Sequence, residues 1–299
     1  MSRLKDNVNM GPKRLRELVS TGYVIAPGVF NGISAILAER AGFQAGYLSG
    51  SGVAGVMGLP DISVTTMDEV VYELRKIISI SKLPIIVDVD TGFGEAINVI
   101  RTVRTMESSG AAAIHIEDQE LPKKCGHLPG KKLIPEEDMI KKIYAAVEAR
   151  KNPDFMIIAR TDARAVEGLE GAIRRGKMYL EAGADMIFPE ALETKEEFEE
   201  YARHVAPLLA NMTEFGKSPL LSAKELGEMG YKIIIFPLTA FRASLLAIED
   251  IYKNLKVQET QKNFINKLMT REKFYEIIGY KEYENEDKEL SMKNVKLKK

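Results

Sequence analysis

The chain has 299 residues, 45% of them hydrophobic, with 42 basic against 43 acidic side chains. That charge balance creates no broad field for nucleic acid or an anionic membrane, while the apolar fraction is ample for a large core. A lone cysteine rules out an internal disulfide, no apolar run approaches the roughly 18 residues of a membrane span, and the start MSRLKDNVNMGPKRLREL lacks a signal-peptide core, so a cytoplasmic protein is expected.

An amphipathic helix is expected over 12–21, ahead of the first β-branched run. Strands are expected at 23–26, 46–48, 84–88, 113–116, 155–159, 186–188, 208–210 and 232–236, each followed by a helical pattern. In TTMDEVVYELRKII, Thr66 and Glu69 form a capping box, and Val70, Leu74, Ile77 and Ile78 give the buried stripe. In PEEDMIKKIYAAVEAR, Pro135 and three acids suit a helix start, with Ile140, Ile143, Tyr144 and Val147 as its buried face. Gly110, Gly183 and Gly230 stand where helices end before the next strand.

Eight strand–helix units with no break in composition predict an α/β protein, a (β/α)₈ TIM barrel, with an added N-terminal helix and added C-terminal helices. A doubly wound sheet is the alternative, and the lack of G-x-G-x-x-G after the first strand argues against it. The reading is one domain over 1–280, with a mobile charged tail over 281–299. Apolar residues in the C-terminal helices, such as Phe264, Leu268, Phe274 and Ile277, suggest a partner subunit.

A barrel of this kind carries its site at the C-terminal ends of its strands. Those ends offer Ser49, Gly50, Ser51 and Gly52; Asp88 and Asp90; Glu117 and Asp118; Arg160 and Thr161; Glu190; Asn211 and Thr213; and Arg242. Asp88 and Asp90 are two apart on an extended segment and so share a face. Paired carboxylates repel unless a cation lies between them, and hard oxygen ligands suit Mg²⁺. Equally, both could be solvated or cap the helix near Glu95. His115 shares a face with Glu117 and is read as a core group; Glu117 could support the metal from behind. Arg160 and Arg242 suit bidentate carboxylate binding, or structural pairing with an acid such as Glu190. The SGSG turn brings backbone N–H groups near an anion.

The only cysteine, Cys125, lies in KKCGHLPGKK, between Lys124 and Gly126–His127 and near Lys123, Lys131 and Lys132. Cationic neighbours and flexible glycines predict an accessible thiol of lowered pKa. Zinc does not fit one cysteine and three scattered histidines.

KKCGH, together with YLSGSGVAG, VDVDTGFG, IHIEDQ, IARTDA and FPEA in that order, resembles the isocitrate lyase and phosphoenolpyruvate mutase superfamily over about Gly11 to Arg271. The short chain and FPLTAFRA look most like its branch that cleaves 2-methylisocitrate; Phe188 stands where larger members carry tryptophan, and this chain has none. Ser51 departs from the glycine of many members. The resemblance implies cleavage of (2S,3R)-2-methylisocitrate to pyruvate and succinate, with isocitrate or dual activity, or another reaction on 2-hydroxy or 2-oxo acids, as alternatives. A non-catalytic protein that kept the barrel is the rival of a different class.

The resemblance further implies Mg²⁺ (Mn²⁺ as substitute) on Asp88 and Asp90, and Cys125, Lys123, His127 and Glu117 as catalytic residues. Cys125 would be the acid that protonates the succinate carbanion; the base is Glu117 or a hydroxide on the metal. Ser49, Gly50, Ser51, Cys125, Gly126, Arg160, Glu190, Asn211, Thr213, Arg242 and Arg271 would bind a tricarboxylate. A homotetramer with exchanged helices is the implied assembly.

Overall fold

The computed structural model describes residues 10–292. Eight strands form: β1 (Val24–Pro27), β2 (Gly46–Leu48), β3 (Ile85–Asp88), β4 (Ala113–Glu117), β5 (Met156–Thr161), β6 (Met186–Pro189), β7 (Leu208–Asn211) and β8 (Tyr231–Phe236). Helix α1 (Gly11–Thr21) precedes β1 and α2 (Gly32–Arg40) follows it, while α3 (Gly50–Val56) and α4 (Met67–Ile78) follow β2. Then α5 (Ala96–Ser108), α6 (Glu136–Ala149), α7 (Arg164–Glu181), α8 (Lys195–His204) and α9 (Ala223–Glu228) follow β3 to β7 in turn. After β8 come α10 (Thr239–Gln258), α11 (Arg271–Ile278) and α12 (Tyr280–Met292).

The strands pair in parallel in the order β1-β8-β7-β6-β5-β4-β3-β2. A bridge between Gly28 and Tyr47 joins the last seam, where Val29 N donates to the Tyr47 carbonyl at 2.8 Å. This is the expected (β/α)₈ barrel. The short β-branched runs fix each strand closely. The largest shift is at the end of β5, which runs on to Thr161 because Arg160 and Thr161 pair with Phe188 and Pro189.

Strand alternation divides the apolar residues into two cores. The outer one, between sheet and helices, takes Val87, Ile114, Ile116, Ile157, Ile187 and Ala210. The inner one takes Val24 and Ala26, Tyr47, Ile86, Ala113, Met156 and Ile158, Met186 and Phe188, Leu209, and Ile233 and Ile235. Leu15 of α1 is fully buried in that inner cluster. Continued upward by steps of two, the inner columns reach Ser49, Asp88, Glu117, Arg160, Glu190 and Asn211. The same parity that fills the barrel therefore aims polar groups into its mouth.

The Thr66 capping box forms, and α4 buries Val70, Val71, Leu74 and Ile77. On α6 the buried face is Met139, Lys142, Ile143, Ala146 and Ala149, rotated from the expected stripe, and Tyr144 is exposed. The reason is Lys142, whose buried ammonium donates to the Thr91 carbonyl at 3.1 Å. A pattern of apolar letters cannot anticipate an inward lysine. Gly110, Gly183 and Gly230 all have φ near +100°, a conformation strained for other residues.

The chain divides into two compact units, one running to Ala243 and a second beginning at Ser244. The charged segment expected as a mobile tail is helical through Met292, and residues 293–299 lie outside the described ones. Glu and Lys are good helix formers; Glu284 meets Lys288 one turn on at 3.6 Å, and Tyr280 stacks on Tyr275 at 4.7 Å. Among the described residues no helix is long and apolar enough to cross a membrane.

Candidate active site

A cavity of about 100 Å³ opens at the carboxyl ends of the strands. Its lining includes Ser49, Ser51, Asp88, Lys123, Cys125, Gly126, His127, Arg160, Glu190, Asn211, Thr213 and Arg242, all expected from the sequence. Tyr47, Asp61, Pro237 and Leu238 also line it and were not anticipated. Tyr47 lies two residues before Ser49 on one face, a signal that alternation could have read. Asp61 sits in a loop and gave no such signal. Arg271 is exposed at the start of α11 in the C-terminal unit and is not among the lining residues.

The floor is acidic. Asp88 Oδ2 accepts from Gly50 N at 3.0 Å, and its Oδ1 from Asp90 N at 3.1 Å. The SGSG turn thus spends one N–H on orienting a carboxylate, and Gly50 is not the free anion donor expected. Ser49 is the N-cap of α3 but its hydroxyl makes no capping bond, which leaves it for a ligand. Asp90 comes to Asp88 by a different route from the one expected. The strand ends at Asp88, and Asp90 has φ +48°, so a left-handed turn and not strand alternation joins the pair. Neither aspartate caps α5; Glu95 and Asn98 form that box.

Burial pushes the Asp88 carboxyl up, but His115, Lys123 and Arg160 draw it down to about 2. Burial raises Asp90, with Lys123 opposing from 2.8 Å. Glu117, fully buried, is raised well above the carboxylate range by desolvation. Neither of its oxygens accepts a hydrogen bond, although Arg160 Nε lies 3.3 Å from Oε2. His115, beneath the floor, faces Asp88 Oδ1 at 3.5 Å and the Tyr47 hydroxyl at 2.8 Å.

Such a floor fits a divalent cation. Buried carboxylate oxygens without hydrogen-bond donors are uncommon unless something else satisfies them. No group of three or more His, Cys, Asp or Glu that could hold a metal occurs among the described residues. A cation here would take few protein ligands and keep water or ligand oxygens, which is the habit of Mg²⁺.

The cysteine loop forms the roof. Its stem is pinned where Gln119 and Leu133 pair and where the Gln119 side chain and Lys124 backbone exchange two hydrogen bonds at 2.9 Å. Lys123 pairs with Asp61 and Asp90. His127 Nε2 meets Glu190 Oε1 at 3.1 Å, and its Nδ1 accepts from Lys217 N at 2.9 Å. Gly126 lies so close to the wall that a Cβ there would run into Glu190 and come within 2.7 Å of Arg160 Nη2. Only glycine lets the backbone approach this way.

The thiol differs from expectation. Burial raises the Cys125 pKa, with the His127 backbone N–H opposing. Of the lysines expected to lower it, Lys123 is engaged by two aspartates and Lys131 by Asp162, while Lys124 and Lys132 are exposed. Burial therefore favours the protonated thiol.

The walls carry the cations. Arg160, buried, is gripped by Asp162 (Nε to Oδ2, 3.0 Å), Glu190 (Nη1 to Oε2, 3.1 Å) and Glu117. Arg242 bonds the Glu214 carbonyl at 2.6 Å and carboxylate at 2.9 Å. Both arginines are thus structurally paired, Arg160 with Asp162 and Glu190 and Arg242 with Glu214. Phe188 is fully buried below the floor, edge-on to His115 at 5.3 Å and 5.2 Å from the Arg160 guanidinium; Pro237 and Leu238 supply the apolar wall.

A cavity with an acidic floor, arginine walls and a thiol on a close-fitting roof is built to receive an anion together with a cation. The family model described as phosphoenolpyruvate phosphomutase matches residues 15–256. A 2-methylisocitrate lyase of Aeropyrum pernix is 56% identical over 93% of this chain and 91% of its own. A solved 2,3-dimethylmalate lyase superposes with a TM-score of 0.88 at 35% identity, covering 97% of this chain and 99% of that one. A phosphonopyruvate hydrolase solved with oxalate and Mg²⁺ gives 0.84 at 29%, covering 95% and 98%. The chain therefore belongs to the phosphoenolpyruvate mutase and isocitrate lyase superfamily.

Proposed function

We propose that this chain is a Mg²⁺-dependent carbon–carbon lyase that cleaves (2S,3R)-2-methylisocitrate to pyruvate and succinate. The observation that carries the reading is the chain's only thiol roofing a cavity whose floor is carboxylate and whose walls are arginine. The sequence likeness to a 2-methylisocitrate lyase supplies the substrate.

Asp88 and Asp90 would hold the cation, with Glu117 behind them. When bound, Mg²⁺ (or Mn²⁺) polarises the hydroxyl and the neighbouring carboxylate of the pyruvate-forming half. Ser49 and Ser51 orient that half. Arg160, His127, Asn211, Thr213 and Arg242 hold the remaining carboxylates, and Glu190 positions Arg160 and His127. The hydroxyl proton leaves toward the floor, where Glu117, neither of whose oxygens accepts a hydrogen bond, would take it in its ionised form. As the carbon–carbon bond breaks, its electron pair stays on the succinate carbon. The Cys125 thiol delivers its proton there. A cavity of about 100 Å³ is smaller than the ~300–1,000 Å³ of usual ligand sites, so the roof must swing out for entry.

Pyruvate release from methylisocitrate, measured with and without Mg²⁺, tests the reading. Metal-dependent release is expected, with kcat/KM for methylisocitrate above that for isocitrate by about 10–200-fold, the span one methyl allows. No pyruvate from methylisocitrate at saturating metal would overturn it.

We also infer a cytoplasmic homotetramer, with C-terminal helices exchanged between copies. The C-terminal unit leaves Leu246, Tyr252 and Val257 at least two-thirds exposed, apolar area that a second copy would cover. Light scattering is expected to give a tetramer mass; a stable, active monomer would sink the assignment.

A further inference from the structure

We propose that Lys131, which the chemistry above does not use, is a positioning residue that latches the thiol-bearing roof onto the carboxylate that orients Arg160. Lys131 is at the far end of the loop from Lys123, and its side chain is 1% exposed. Its ammonium donates to the Gly126 carbonyl and, at 2.7 Å, to Asp162 Oδ1. Asp162 is fully buried and also accepts from Arg160 Nε at 3.0 Å and Nη2 at 3.3 Å. Its backbone is fixed in turn, since Asp162 N donates to Asp118 Oδ1 at 2.9 Å. Asp118 accepts from Thr161 Oγ1 at 2.7 Å and from the Tyr179 hydroxyl at 2.8 Å.

One carboxylate thus orients the wall arginine and, through Lys131, holds the peptide next to Cys125. A buried ammonium is costly unless it is paired and hydrogen-bonded, and here its two partners are a wall residue and a roof carbonyl. When the roof lifts, the Gly126 bond must break. The latch therefore favours the closed pose and sets the thiol against the same frame that holds the substrate carboxylate.

This inference rests on Cys125 being the acid, so the test includes a readout independent of turnover. Cys125 is the only thiol in the chain, and iodoacetamide alkylation reports its exposure at one site. Lys131→Met keeps the length of the stem and removes the charge. It should raise the alkylation rate at least about tenfold, as expected from losing hydrogen bonds to a charged group. It should lower kcat about 10²-fold, the scale of a misplaced reacting group, with KM changed far less. Asp162→Asn keeps the shape but weakens the anchor of Lys131, and should also speed alkylation, so the proposal stands on two variants. Wild-type alkylation in both folded variants would overturn it, whatever happens to kcat. Faster alkylation with unchanged kcat would support the latch and reject Cys125 as the acid.

Discussion

Cys125→Ser lowers kcat by about 10²-fold or more, the loss expected when a general acid is removed. The hydroxyl is nearly the same size, so the roof still closes and KM should move little. The acid is lost because a serine hydroxyl gives up its proton far less readily than a thiol. Wild-type-like turnover would remove Cys125 from the chemistry. The pH profile gives a second check. Burial raises the thiol pKa, and the acid form is the one present below that pKa. Activity should therefore persist through neutral pH and fall only as pH rises past the usual thiol range. That alkaline fall should be absent from the residual activity of Cys125→Ser. Loss of activity as pH rises through a midpoint well below neutrality would mean that the thiolate prevails at working pH, and would count against the acid role.

Asp88→Ala abolishes metal-stimulated cleavage, by at least about 10³-fold, since Lewis-acid stabilisation is worth several kcal/mol and each ~1.4 kcal/mol is a tenfold change in rate. Asp88 is the keystone of the floor: it accepts from Gly50 N and Asp90 N and stands against His115. Its loss would remove a proposed metal ligand and the acceptor of the Asp90 backbone N–H. Thermal melting separates this from simple unfolding. A ligand that binds only the folded state stabilises it by about 2.7 kcal/mol at a hundredfold excess over Kd. Mg²⁺ should therefore raise the Tm of the wild type and leave Asp88→Ala unmoved. Full activity of the wild type in chelator, or an equal Tm gain in the variant, would rule out the metal assignment.

Much of this was legible in the chain. Eight β-branched runs, each trailed by a helical stripe, favoured the barrel over a doubly wound sheet, because a parallel strand pair needs a crossover and eight strand–helix units are the number that closes this ring. Residues two steps beyond the inner apolar positions then had to face the mouth, which is how Asp88, Glu117, Arg160, Glu190 and Asn211 could be named from spacing. Where the chain leaves the strand, that rule fails. Asp90 reaches the floor through a positive-φ turn, and Asp61 arrives on a loop with no periodicity to read.

Charge was the least legible quantity. The letters around Cys125 suggest a thiol made acidic by lysines, but folding sends Lys123 to Asp61 and Asp90 and Lys131 to Asp162, leaves Lys124 and Lys132 exposed, and half-buries the sulfur. A side chain's ionisation is set by what lies within a few ångströms in space, and most of those neighbours are tens of residues away along the chain. The sequence by itself determined the barrel, the mouth and the residue types available there, because backbone alternation and apolar burial are local and periodic. Only the tertiary structure decided which carboxylate oxygens accept no hydrogen bond, which way the thiol's proton affinity moves and that Lys131 ties roof to wall, because long-range contacts and desolvation are properties of the packed molecule.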